Sequence, residues 1–344
     1  VANKHQGIGH ATTPKRLSIE NLEVSFRTED GVVRSVRGVD IAVNPGEIVA
    51  VVGESGSGKS VTALSVLGLH PKGRTDISGA IRWGEEDLLT VSDHRLQEIR
   101  GNEIAMIFQD PLTALNPVYT VGHQIAEAVR AHRSLDRGAA EARAIEMLEL
   151  VGIPQPAKRS KMFPHEFSGG MRQRAMIAMA LSCDPSLIIA DEPTTALDVT
   201  VQAQILDLLT RAAREVGSSV MLITHDLGVV AGMADGVSVM YAGRVVERGT
   251  VDELFSSPGH PYAIGLLRSL PRIDADGQEE LVPIGGQPPS MLNPPAGCAF
   301  HPRCPMASAA AGCDTTRPVL AADGHGVACL RSSEVLATLG EVIL

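Results

Sequence analysis

Eight consecutive residues, Gly53-Glu54-Ser55-Gly56-Ser57-Gly58-Lys59-Ser60, have the types and spacing of a loop that holds phosphate. Glycines let successive backbone N–H groups converge on phosphate oxygens, and the N-terminus of a following helix adds favourable potential. At this spacing Lys59 reaches the terminal phosphates and the Ser60 hydroxyl can ligate magnesium. The context agrees, because five apolar residues, Ile48 to Val52, lead into the loop and the helix-compatible KSVTALSVLGL leaves it. A second group follows the apolar run Leu187 to Ala190, where Asp191 and Glu192 stand side by side. Adjacent carboxylates aimed separately suit two jobs: Asp191 holds hydrated magnesium while Glu192 polarises an attacking water. A third group, Ser168-Gly169-Gly170-Met171, precedes Arg172-Gln173-Arg174 and an apolar run. It places Ser168 and two glycines at a helix N-terminus, which is either another anion site or a plain cap. Two phosphate-directed helix N-termini so far apart in one chain make sense if the second serves a nucleotide held by another subunit.

Positioning these groups requires strands that end together. Leu17 to Val43 reads as the β segments LSIENLEVSF and VVRSVRGVDIAV around the turn-like TEDG, an antiparallel beginning closed by Asn44-Pro45-Gly46. Ile48 to Val52, Leu187 to Ala190 and Val220 to Ile223 read as strands buried on both faces, the last ending in Thr224-His225-Asp226. Between the latter two, Ile205, Leu208, Leu209 and Ala212 share one helical face. Strands alternating with helices predict an α/β fold with a mostly parallel sheet, which binds ligands at the carboxyl ends of its strands. The stretch from Asp87 to Leu181 reads as mostly helical, an inserted subdomain. Val237 to Arg248 reads as a hairpin turning at Ala242-Gly243, and beyond Pro258 the composition shifts to proline-rich loops with clustered cysteines, where a domain boundary is expected.

The 344 residues exceed what one core usually organises, so a large domain with an appendage is expected. Lys plus Arg is 30 against 40 Asp plus Glu, and the net charge of −10 argues against a surface dedicated to nucleic acid backbone. No run approaches the roughly twenty apolar residues that cross a bilayer. Residues 1–16 are polar and lack the apolar core of a secretory signal, so they read as a flexible tail on a cytoplasmic protein, where disulfides are not expected.

Taken in order, these motifs resemble the ATP-binding cassette family, the ATPase subunits of transporters. The phosphate loop runs from Gly53 to Ser60, the glutamine loop holds Gln109, the signature spans Ser168 to Met171, and Asp191 and Glu192 are the magnesium and base pair. An aspartate loop falls around Ala196-Leu197-Asp198, and the switch histidine is His225. The resemblance implies a P-loop NTPase with a RecA-like core, an antiparallel β subdomain and a helical subdomain at about 87–181, together making a cassette over 17–257. It implies ATP and Mg2+ as ligands, with Ser60, Gln109 and Asp191 around the metal, Phe26 stacking on adenine, and His225 contacting the γ-phosphate. It also implies a head-to-tail dimer in which Ser168 and Gly170 of one subunit close over ATP held by the other, with Gly169 and Asp198 also among the ATP-binding residues. Phe167 stands where leucine is usual and Met171 where glutamine is usual, so Met171 is assigned no polar contact.

Two segments, Phe108 to Pro117 (FQDPLTALNP) and Phe167 to Leu181, resemble the oligopeptide, dipeptide and nickel importer branch, as do His260-Pro261-Tyr262 and Gly297 to Pro305 (GCAFHPRCP). That branch implies a C-terminal extension over 258–344 and a peripheral subunit on the cytoplasmic face of the membrane. Its partners are a second ATPase, identical or sister, two integral membrane permease subunits and an extracytoplasmic solute-binding protein. The residues after Gln109 would dock short helices of the permeases. Peptides are the leading substrate, with nickel or another solute open, and a non-transport ATPase is the competing class. Cys183 lies in an apolar helical run and is expected to be a small buried hydrophobe. Cys298, Cys304, Cys313 and Cys329 have five, eight and fifteen residues between successive members and form no C-x-x-C pair. Four thiolates suit an iron–sulfur cluster or zinc. Extensions of this branch are associated with a [4Fe-4S] cluster, while Zn2+ and free thiols remain the alternatives.

Overall fold

The computed structural model describes residues 15–194, 198–270, 283–321 and 324–339, so residues 1–14 of the expected tail and Ala196-Leu197 of the aspartate loop lie outside the described residues. The strands are β1 (Leu17–Thr28), β2 (Gly31–Val43), β3 (Ile48–Val52), β4 (Thr75–Trp83), β5 (Glu86–Asp87), β6 (Ile104–Ile107), β7 (Leu187–Asp191), β8 (Ser219–Thr224), β9 (Gly236–Tyr241), β10 (Arg244–Thr250) and β11 (Gly326–Val327). They form a four-stranded sheet in the order β2-β1-β4-β5, antiparallel throughout, and a seven-stranded sheet in the order β11-β10-β9-β3-β8-β7-β6. In the larger sheet β9, β3, β8, β7 and β6 run parallel, and the β9–β10 hairpin and β11 add an antiparallel edge.

Strand β3 is buried at all five positions because both faces are covered. Its side chains alternate between cores: Val49 and Val51 pack beneath the antiparallel sheet with Leu17, Ile19, Val24 and Trp83. Ala50 and Val52 pack on the opposite side with Tyr241, Tyr262 and Phe300. Strand β7 alternates likewise, giving Leu187 and Ile189 to the first core and Ile188 and Ala190 to a third, built with the helices Val121–His132, Arg137–Leu150, Gly169–Leu181 and Val199–Val216. Ile205, Leu208, Leu209 and Ala212 all face that third core.

One feature departs from the sequence reading. Within the stretch read as mostly helical, Ile104–Ile107 are β6, the edge strand of the main sheet beside β7. Beyond Pro258 the chain packs onto the main sheet, where β11 pairs with β10 and Phe300 enters the core that β3 shares. Cys183 is buried, as a small apolar side chain would be.

Candidate functional site

The carboxyl end of β3 turns into the phosphate loop, and the loop's geometry demands glycine. Gly53 has φ +151°, and a Cβ there would lie 2.1 Å from the Met240 carbonyl oxygen; Gly58 has φ +104° and a Cβ would meet the Ser35 carbonyl at 2.6 Å. The helix Lys59–Val66 starts at once, so the free N–H groups of its first turn face the loop. Lys59 is buried, and its Nζ donates to the carbonyls of Gly53 (2.7 Å) and Glu54 (3.0 Å). Burial pulls its pKa down, opposed by the charges of Glu192, Asp191 and Glu54. Ser57 Oγ is buried without a hydrogen-bond partner, a hydroxyl suited to a phosphate oxygen.

Asp191 ends β7 and its Oδ1 accepts from Ser60 Oγ at 2.9 Å. Hydroxyl and carboxylate thus adjoin as magnesium ligands require. Burial pushes the Asp191 carboxyl up, and the Ser60 hydrogen bond works against that shift. The next residue, Glu192, adopts φ +45°, a left-handed conformation that costs a non-glycine residue roughly 1–3 kcal/mol. Its N–H donates to the Ile223 carbonyl of β8, which fixes the bend, and its Oε2 accepts from Gln109 Nε2 at 3.0 Å. His225, after β8, brings Nδ1 within 3.5 Å of the same oxygen. Lys59, Ser60, Gln109, Asp191, Glu192 and His225 therefore gather at the carboxyl ends of neighbouring strands.

The other expected residues stand apart. Ser168 caps the helix Gly169–Leu181, its Oγ accepting from the Met171 N–H, and Asp198 caps the helix Val199–Val216 by accepting from Val201. The two caps are neighbours, since a Cβ on Gly170 would lie 3.2 Å from Val201 Cγ1. Among the described residues no hydrogen bond ties Ser168, Gly169 or Gly170 to the phosphate loop. Met171 packs against the helical core as an apolar side chain. Phe26 is half-buried on β1, its ring edge-on to His70 at 5.4 Å. Near the glutamine loop, Phe108, Val118, Tyr119 and Phe163 are exposed, and the Val121 N–H joins this stretch to the Met162 carbonyl.

Among the described residues no group of three or more His, Cys, Asp or Glu side chains is arranged to hold a single metal ion. Cys298, Cys304, Cys313 and Cys329 nevertheless line one cavity, with His260 and Phe300. Burial pushes the thiols of Cys298 and Cys329 up, and that of Cys304 up to about 11. Backbone N–H groups oppose the shift: those of Phe300 and His301 favour a Cys298 thiolate, that of Met306 a Cys304 thiolate, and Arg331 donates to Cys329 Sγ at 3.4 Å. His260 accepts the Tyr262 N–H at Nδ1, so its proton sits on Nε2, which is buried without a partner. Four sulfurs thus line one cavity, with backbone amides directed at three of them.

Sequence reasoning missed the contacts that join this cysteine region to the phosphate loop. The Glu54 N–H donates to Tyr262 Oη at 2.8 Å, and Arg303 clasps the Glu54 carboxylate through Nη1 (2.7 Å) and Nη2 (3.0 Å). Tyr262 lies in the HPY segment and Arg303 in GCAFHPRCP, yet nothing local in GCAFHPRCP names a partner 249 positions from Arg303.

Comparison with known proteins agrees with this architecture. Residues 36–195 match the family described as ABC transporter, and residues 246–313 match the oligopeptide/dipeptide transporter C-terminal region. The chain is 52% identical over 318 residues to the dipeptide transport ATP-binding protein DppD of Bacillus subtilis (strain 168), covering 92% of this chain and 94% of that one. It is 54% identical over 285 residues to the oligopeptide transport ATP-binding protein OppD of the same organism, covering 83% and 80%. Among solved structures, the dimeric ATP-binding cassette MJ0796 bound to ADP and Pi has a TM-score of 0.60 at 25% identity, covering 68% of this chain and 98% of that one. The cassette cbiO1 from Clostridium perfringens, part of the ABC transporter complex cbiONQ, has a TM-score of 0.58 at 28% identity, covering 70% and 90%. The fold and the gathered site define an ATP-hydrolysing P-loop cassette. The chain belongs to the ABC transporter ATP-binding protein family and carries that family's oligopeptide/dipeptide transporter C-terminal region. None of its helices, among the described residues, is long and apolar enough to cross a membrane.

Proposed function

We propose that this chain powers the import of dipeptides or oligopeptides, working as a peripheral subunit on the cytoplasmic face of a membrane. The observation that carries the reading is the meeting of Ser60–Asp191 with Gln109–Glu192–His225 on the strand ends of a cassette whose C-terminal stretch matches a peptide-transporter region. Phosphates lie along the amides of Gly53 to Ser60, with Lys59 and the Ser57 hydroxyl as further donors. Ser60, Asp191 and Gln109 surround the site for Mg2+, which when bound neutralises phosphate charge. Glu192 takes the proton of the attacking water, Gln109 and His225 orient its carboxylate, and Phe26 receives the adenine ring. Ser168 and Asp198 are exposed caps of neighbouring helices, with Gly169 and Gly170 half-buried beside them, which suits closure over the nucleotide of a second ATPase subunit, identical or sister.

The cassette spans 17–257, with a helical part near 87–181, and the extension spans 258–344. The exposed Phe108, Val118, Tyr119 and Phe163 form the apolar surface on which two permease subunits dock, and a solute-binding protein delivers the peptide outside. Cys298, Cys304, Cys313 and Cys329 would ligate a [4Fe-4S] cluster, or Zn2+ as the alternative, and a cluster would supply a rigid cross-link and a redox-active centre when bound. Uptake tests the reading: vesicles carrying the full transporter should accumulate labelled peptide only with ATP inside the compartment this chain faces. Uptake of Ni2+ but not peptide would assign the nickel alternative. ATPase activity without permease binding would assign a non-transport role.

A further inference from the structure

We propose that Arg303 is a positioning residue for the phosphate loop: it fixes Glu54 from the C-terminal region and so sets the affinity for ATP. The inference rests on the reading of Gly53 to Ser60 as the phosphate site.

Glu54 is held at four atoms. Its N–H donates to Tyr262, its carbonyl accepts from Lys59, and its carboxylate takes both nitrogens of the Arg303 fork. The guanidinium is itself fixed from other directions, by Nε to the Gly285 carbonyl (2.8 Å), Nη2 to the Ile284 carbonyl (3.2 Å) and Nη1 to Tyr241 Oη (3.3 Å). Its side chain is 5% exposed and packs near the Tyr241 and Phe300 rings. A pre-organised fork of this kind loses little freedom on closing over a carboxylate.

One consequence reaches the nucleotide. Holding Glu54 keeps the loop's amides in the converging arrangement that phosphate needs, so their ordering cost is met before ATP arrives. A purely structural role as an anchor for the C-terminal region is already filled, because Tyr241, Tyr262 and Phe300 pack ring against ring with centroids 4.6–5.4 Å apart.

The test uses the full chain in the assembled ATPase and reads both ATP affinity and turnover. Arg303→Met should raise KM for ATP about tenfold while kcat stays within about twofold, because the hydrolytic groups are untouched. Glu54→Gln should raise KM in the same way, and the double variant should be no worse than the weaker single, because the two act through one contact. Arg303→Lys, which keeps the charge without the fork, should fall between Arg303→Met and wild type. An unchanged KM in Arg303→Met, or a loss there that Glu54→Gln does not share, overturns the proposal. If Arg303→Met fails to fold, Glu54→Gln decides alone. Lys59→Ala, measured alongside, separates the two claims: ATP binding like wild type in that variant removes the phosphate-site reading and the proposal with it.

Discussion

The phosphate site and the cysteine region put chemistry together in opposite ways. In the phosphate site, groups of known type follow one another along single strand ends: Gly53 to Ser60 after β3, Asp191 and Glu192 after β7, His225 after β8. In the cysteine region, four sulfurs from loops between Cys298 and Cys329 meet at one cavity with His260, and the strand closest to them, β11, has two residues. The first arrangement is built by a sheet and reports itself in sequence. The second is built by packing: the sequence names its four sulfurs, and the fold brings them to one cavity. They meet at Glu54, one residue of the first region clasped by Arg303 of the second.

The comparison breaks most visibly if the loop variants behave like distant ones. Lys59→Ala should weaken ATP binding by about a hundredfold or more, measured by equilibrium titration, because a buried charge next to the phosphates is lost. Gly53→Ala should follow, lowering stability by about 3 kcal/mol or more in denaturant unfolding, since its Cβ has nowhere to go beside the Met240 carbonyl.

In the cysteine region the sharper probe is pH. Burial drives the His260 pKa down from 6.5 to about 3, so a second ring proton is excluded from the folded state but taken up by the unfolded chain between those values. Stability from this residue is therefore complete above pH 6.5 and declines as pH falls, by about 1.4 kcal/mol per unit. His260→Asn keeps an acceptor for the Tyr262 N–H and should flatten that acid limb. Glu247, pushed up by burial and bonded to the His260 N–H, is present in both proteins and drops out of the difference. Smallest is Phe26→Ala, expected to weaken ATP binding by about 1 kcal/mol, roughly fivefold, through lost stacking. A larger loss for Phe26→Ala than for Lys59→Ala would reverse the order that the geometry sets.

The α/β plan was legible because buried strands, a glycine loop and a helical stripe each leave a local pattern. Ile48 to Val52 could be read as a strand covered on both faces before its two cores were known. Strand β6 was not legible, since four apolar residues amid helices look the same in a helix or at a sheet edge. The types of Asp191 and Glu192 were legible, but not the left-handed bend at Glu192 that turns one carboxylate toward Ser60 and the other toward Gln109 and His225. Arg303 was illegible for a stronger reason, because its partner is distant in sequence and no spacing rule links them. Tyr262 lies in the HPY segment, yet its hydroxyl's target, the Glu54 N–H, depends on packing.

Turnover by the assembled ATPase carrying Glu192→Gln tests the account most directly, with ATP binding measured on the same preparation. The amide keeps the shape and the Gln109 contact but cannot take a proton, so ATP should bind as in wild type while kcat falls about a hundredfold or more. Hydrolysis at the parent rate would contradict the assignment of the base and the mechanism built on it.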